Sequence, residues 1–267
     1  VSQSKNVLVH QIGGLVVFNS PVVLITIFCS LKDASVYTVY AMVFTAMNNL
    51  LGAFSNGIQS FFGESLVKDD IERTRNIFSR YETLFFTVEG WFYSMTYLLV
   101  MPFMSIYTAG MTDAEYIQPE LARLFVIVGV LNNLRQPGNQ LINAAGHFKK
   151  TQWRSLTEAG INVVCSILFT IKMGFTGVLL GGICSYLYRT VDIIIYTAVH
   201  ILHKKPFKSV IKISGLSVYF VTVLRLITHV NVKLPSYAAW VGYAVICGLI
   251  LAVPLSLPAG IIWRKRR

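Results

Sequence analysis

The sequence predicts an all-α, polytopic membrane helix bundle with about eight transmembrane helices. Three observations carry that expectation. Of the 267 residues, 54% are hydrophobic and 13% charged, and the mean hydropathy of +0.60 lies well above the balance of soluble domains. Apolar runs of about 20 residues, the length that crosses roughly 30 Å of hydrocarbon as a helix, recur along the chain. Short strands of alternating polar and apolar residues are not seen, which argues against a transmembrane barrel. The runs lie at 7–29, 36–62, 83–106, 119–145, 156–173, 177–202, 210–229 and 237–263, and are the first to eighth spans below.

The first span carries His10 near one end and Pro21 as a candidate kink. In the second, "MNNLLGAFSNGIQS" places Asn48, Asn49, Gly52, Ser55, Asn56 and Gln59 on a common arc at 100° per residue. The charged stretch "VKDDIERTRNIFSRYE" that follows reads as a short amphipathic surface helix or a solvated charge run. Glu89 lies in the third span and Glu158 in the fifth, each one to two turns from an end. With His10 they are candidates for proton or cation coupling, the alternative being hydrogen bonding to loops.

The fourth span is the least ordinary. "NNLRQPGNQLINAAGHFKK" puts Asn132, Arg135, Gln136, Asn139, Gln140 and Asn143 on one face, and Gln136-Pro137-Gly138 predicts a break near its middle. The sixth span adds Gly182, Ser185, Arg189, Asp192 and Tyr196, with Arg189 and Asp192 spaced i, i+3 to neutralise each other. No acid in its own helix is spaced to do this for Arg135. Amides donate and accept at once, which suits sugar hydroxyls, and the guanidinium fork suits phosphate oxygens. The set is expected to face a cavity that takes an anionic glycan; the alternative is polar packing between helices.

Charge sets the expected topology. Sixteen of the 23 Lys and Arg cluster around Lys5, the 68–80 loop, the 149–154 loop, the 204–212 loop and the end of the chain, whereas Lys32, Lys172 and Lys233 lie in the opposite loops. By the positive-inside rule both termini are expected to be cytoplasmic. The net charge of +11 is thereby assigned to topology, and no nucleic-acid partner is expected. The remaining two arginines within spans, Arg123 and Arg225, sit near outer ends, where they can snorkel. Cys29, Cys165, Cys184 and Cys247 show no ligand spacing and read as small core residues, so neither a metal nor a cofactor is expected.

The stretch "INAAGHFKKTQWRSLTEAGINVVCSILFTIKMGFTGVLLGGICSYLYRTVDIIIY", together with "LKDASVYTVYAMVF", resembles the polysaccharide flippases. These are Wzx-type exporters of O-antigen and capsule repeat units, in the superfamily that also holds the multidrug and toxic compound extrusion transporters. The resemblance covers about residues 1–203 and implies the second six-helix lobe of a two-lobe transporter, with 204–267 as two additional helices. It implies that a first lobe is missing, in keeping with a chain that begins at Val1. The implied activity is translocation of a polyprenyl-pyrophosphate-linked oligosaccharide across the bacterial cytoplasmic membrane by alternating access, with no covalent chemistry. Implied partners are the lipid-linked substrate, membrane lipids, the first lobe, and a polysaccharide polymerase and glycosyltransferases.

Rival readings are a lipid II flippase, whose basic residues concentrate in the first lobe, and a multidrug exporter, whose cavity favours cations and is opposed by Arg135. A glycan polymerase or ligase needs similar groups but usually carries them on a large outer loop; the longest here, around "AGMTDAEYIQPE", has about twelve residues. A purely structural scaffold gives no reason for a central arginine.

Overall fold

The computed structural model describes residues 19–68, 70–227, 232 and 234–264, and the described residues form an all-α fold without strands. The described part of each expected span corresponds to one helix or to two run end to end. The described part of the first span is α1 (Asn19–Phe28). The second comprises α2 (Leu31–Asn56) and α3 (Ile58–Val67), the third is α4 (Ile71–Tyr107), and the fourth comprises α5 (Pro119–Leu134) and α6 (Gln136–Ala144). The last four are α7 (Phe148–Met173), α8 (Thr176–Tyr196) with a π-helical turn at Thr197–Ile201, α9 (Phe207–Ile227) and α10 (Tyr237–Arg264).

Among the described residues three helices, Ile71–Tyr107, Phe148–Met173 and Thr176–Ile201, are long and apolar enough to cross a membrane. Side-chain placement agrees with that medium. Val164, Leu168 and Ile171 of α7, Leu187, Val191 and Ile195 of α8, and Val245, Leu249 and Ile250 of α10 are exposed, while Glu82, Glu89, Glu158 and Arg189 are buried. Water would favour the opposite sorting, whereas a hydrocarbon surround selects apolar exteriors and polar interiors. The chain has the character of a membrane protein.

Local chemistry sets the helix ends. Ser30 Oγ accepts the Asp33 N–H at 3.1 Å and donates to its carboxylate at 2.7 Å, a reciprocal cap that starts α2. Asp70 accepts the Arg73 N–H at 2.9 Å and starts α4. That cap corrects one expectation: the charged stretch after residue 67 is no separate surface helix. Its residues from Ile71 onward form the first turns of the 37-residue α4, which at 1.5 Å per residue runs about 55 Å, well beyond the hydrocarbon thickness. Helix-internal threonines satisfy their hydroxyls locally; Thr83, Thr87 and Thr96 each donate to the carbonyl four residues back at 2.8–2.9 Å.

The α7–α8 hairpin turns at Gly174, whose φ of +68° an L side chain rarely adopts. The two helices then cross at minimal separation. A Cβ on Gly181 would lie 2.4 Å from the Ser166 backbone nitrogen, and one on Gly177 2.3 Å from the Phe169 carbonyl carbon. Glycines four residues apart thus let the backbones touch, as small residues do between membrane helices.

Two apolar clusters fill the bundle. One joins α2, α4 and α5 near the 108–118 loop, where Phe125 packs with Tyr37 and Phe44 at ring distances of 5.1 Å each. Here Tyr40 OH donates to the Tyr116 carbonyl at 2.9 Å and accepts the Gln118 N–H at 3.1 Å, pinning the loop. The second joins α3, α4, α6 and α8 at the end that carries the 202–206 turn. Both α9 and α10 pack against α4.

Candidate functional site

The break in the fourth span falls at Arg135, which is at once the last cap of α5 and the first of α6. Pro137 in the first turn of α6 lacks the N–H that would have continued α5, and the chain re-enters a helix with the Asn139 N–H on the Arg135 carbonyl at 3.0 Å. Gly138 lets α6 press onto α8: a Cβ there would meet Ile193 Cγ2 at 2.3 Å. The discontinuity aims Arg135 into a cavity of about 840 Å³. Its walls come from α1, α2, α5, α6, α7 and α8, with Asn48, Asn132, Arg135, Asn139, Glu158 and Arg189 among the polar lining.

Arg135 is neutralised, which the sequence reading did not provide for. Its acid comes from another helix: Arg135 Nη1 donates to Glu158 Oε1 of α7. Glu158 also faces Arg189, with Nε and Oε2 3.4 Å apart, so it bridges two guanidiniums instead of bonding to a loop. Arg189 Nη1 donates to Asp192 Oδ2 at 2.8 Å, as the i, i+3 spacing predicts, and Asp192 Oδ1 accepts from Arg154. The result is an alternating chain, Arg135–Glu158–Arg189–Asp192–Arg154. Three guanidiniums against two carboxylates leave one positive charge, and the middle member, Arg189, is only 4% exposed.

Neighbours hold the cavity-facing end in place. Asn132 accepts from Arg135 Nη2 at 2.7 Å through Oδ1 and from Nε at 3.2 Å through its carbonyl. The Tyr186 ring lies under the guanidinium, 4.9 Å from Cζ to centroid. Tyr186 escaped the sequence reading although it shares the polar arc of α8 with Gly182 and Arg189. Ser155 and Tyr37, also in the wall, were missed as well. Deeper, buried Asn133 donates to Tyr93 OH at 2.9 Å, and Tyr93 OH donates to Asn48 Oδ1 at 2.9 Å, tying α2, α4 and α5. Asn162 joins α1, α7 and α8 by accepting from Ser20 at 3.2 Å and donating to Ser185 at 3.1 Å.

The expected residues divide. Asn48, Asn132, Arg135, Asn139, Glu158 and Arg189 meet at the cavity, and Asp192 joins through the ion chain. Gln136 and Asn143 are half-buried and Gln140 is buried, all outside the cavity wall. Of the expected second-span residues whose side chains are described, Asn48 enters the wall; Asn49 and Gln59 are exposed, and Gly57 interrupts the helix between them. The side chain of Asn56, and His10 entirely, lie outside the described residues. Glu89 stands apart at 0% exposure, with neither carboxyl oxygen hydrogen-bonded among the described residues. Among those residues no group of three or more His, Cys, Asp and Glu is placed to hold a metal ion.

Fold and site together define an all-α protein of membrane character with a cavity lined in part by amides and charged side chains and with a buried ionic chain. No protein-family profile, curated protein or solved structure matches the chain.

Proposed function

We propose that the chain is a lobe of a membrane exporter that carries an anionic, lipid-linked oligosaccharide across the bacterial cytoplasmic membrane without covalent chemistry. One observation carries the reading. The helix break delivers Arg135 to the wall of a cavity of about 840 Å³, at the end of an ion chain with one cation in excess. The excess charge can rest on part-exposed Arg154 or be met at Arg135 by an anion from the cavity, so such a cavity favours anions over cationic ligands. Asn48, Asn132 and Asn139 supply the mixed donors and acceptors that sugar hydroxyls require. Alternating access against a second lobe would expose the cavity to each leaflet in turn. A cation-selecting drug exporter fits this charge balance less well.

The test uses the purified chain in a nonionic detergent and a short-chain polyprenyl diphosphate oligosaccharide as probe. Binding should weaken at least about tenfold in Arg135→Ala, the scale of one charge-assisted hydrogen bond lost, and Arg135→Lys should recover only part of it. The uncharged polyprenyl glycoside should bind poorly to every variant. Equal binding of charged and uncharged probes, or an Arg135→Ala protein that binds as the parent does, would refute the assignment.

A further inference from the structure

A second cavity, about 510 Å³, opens where α8 turns into α9, lined by Arg75, His203, Lys204, Lys205, Phe207 and Lys208. No acid contributes to the lining. Of the nearby carboxylates Glu72 pairs with Arg75 of the pocket itself and Glu82 with Lys212 at 2.8 Å, and among the described residues none forms a salt bridge with Lys204, Lys205 or Lys208. Such crowding is unfavourable unless an anion is supplied. Burial lowers the Lys204 pKa, and although Glu82 opposes this, Lys212, Lys208 and Arg75 push it down further.

The pocket is held open by its own backbone. After the π-helical turn the chain reverses at His203, whose φ of +48° is rare for a residue with a side chain. Arg75 of α4 clamps that reversal, donating to the Leu202 carbonyl at 2.7 Å and the His203 carbonyl at 2.9 Å. The turn so fixed places Lys204 against the Phe78 ring, with Nζ 5.7 Å from its centroid, and leaves Lys205 and Lys208 exposed at the rim. Just beyond the basic rim, Phe207, Val210 and Ile211 form an exposed apolar strip on one face of α9, at 68%, 48% and 54% exposure. A free phosphate would use only the basic half of this surface. An amphiphile with an anionic head uses both.

We propose that this pocket binds the phosphate headgroup of an anionic phospholipid, whose acyl chains lie along the Phe207–Ile211 face of α9. Basic pockets between helices at a membrane surface suit this role, each Lys or Arg contributing about fivefold to anionic-lipid affinity. The inference does not depend on what the larger cavity carries, because it rests on a different surface.

Purified chain in a nonionic detergent would be titrated with phosphatidylglycerol, with phosphatidylcholine of identical acyl chains, and with inorganic phosphate. Retained lipid is read by native mass spectrometry and the thermal midpoint in parallel. Phosphatidylglycerol should bind and raise the midpoint, and the other two should do neither. Lys204→Gln/Lys205→Gln/Lys208→Gln should weaken binding on the order of 100-fold. Lys205→Glu alone, at an exposed position that leaves folding intact, should weaken it at least about tenfold. A control with the same charge removed elsewhere, Lys68→Gln/Lys149→Gln/Lys150→Gln, should change binding by less than about threefold. Equal retention of phosphatidylcholine would overturn the proposal. So would equal loss in the control, or stabilisation by inorganic phosphate matching that by the lipid.

Discussion

Glu158→Gln removes one charge and almost no volume, at the point where two guanidiniums meet. Glu158 is 6% exposed and bonds Arg135 on one side while facing Arg189 on the other. Breaking a buried ion pair by removing one partner costs about 3–5 kcal/mol, because the remaining charge stays buried without compensation. Two features place this variant at the lower end. Arg189 keeps Asp192 at 2.8 Å, and Arg135 borders a cavity and keeps Asn132 at 2.7 Å. The expected loss is about 3 kcal/mol. Glu158→Gln/Arg135→Gln restores the charge balance at that end of the chain and should recover all but about 1 kcal/mol of that loss. Unfolding by dodecyl sulfate in mixed micelles, followed by tryptophan fluorescence, reads both variants on one scale. Were the single variant within about 0.5 kcal/mol of the parent, or the double no better than the single, the buried ionic chain would not be what holds α5, α7 and α8 in register.

Two further outcomes follow from packing and from titration. Gly181→Ala should destabilise by about 1–3 kcal/mol, because its Cβ would sit 2.4 Å from the Ser166 backbone nitrogen, which cannot yield without moving α7. Gly160→Ala in α7, with no atom within 4 Å of a Cβ, should be neutral or stabilising in the same unfolding assay. His147 lies in the α6–α7 turn, accepts or donates at Tyr196 OH across 3.0 Å, and has its pKa lowered from 6.5 by burial, then by Lys150 and His200. The unfolded chain therefore binds a proton more readily than the folded one. The contribution of His147 is fully present above about pH 6.5 and is lost as the pH falls through the lower folded value, so the thermal midpoint should drop on acidification by less in His147→Gln than in the parent.

Much of the fold is legible in the sequence because the hydrocarbon interior permits few solutions. A chain that must satisfy its backbone without water reads as apolar runs of helical length, and the described parts of these runs are helices or jointed pairs. The joint at Arg135 was legible for a covalent reason, the missing N–H of Pro137. The start of α4 was not, since Asp70 caps a helix equally well whether that helix stops at the membrane surface or, as here, continues through Tyr107. The Arg189–Asp192 pair was legible because both partners share a helix. Glu158 as the partner of Arg135 was not, because the distance between α5 and α7 is a property of packing and leaves no periodic trace. The stripe on α2 failed in another way: a helix arc says which residues share a side, not which side meets a wall, and Asn49 and Gln59 face outward.

Pairing across helices changes what the arginine can do. A solitary buried guanidinium would be a fixed charge, whereas Arg135 is one end of a chain in which each carboxylate serves two cations. Any anion that engages Arg135 from the cavity competes with Glu158 for the same N–H groups, and a displaced Glu158 retains Arg189 as its alternative, 3.4 Å away. Strengthening that contact relieves Asp192, whose other partner is Arg154, 37% exposed and seated over the Tyr196 ring at 5.0 Å. The excess charge can therefore rest at the solvated end while the cavity is empty and be met by the ligand when it is filled. That arrangement avoids burying an isolated cation in either condition, and it ties occupancy of the cavity to contacts among α5, α7 and α8.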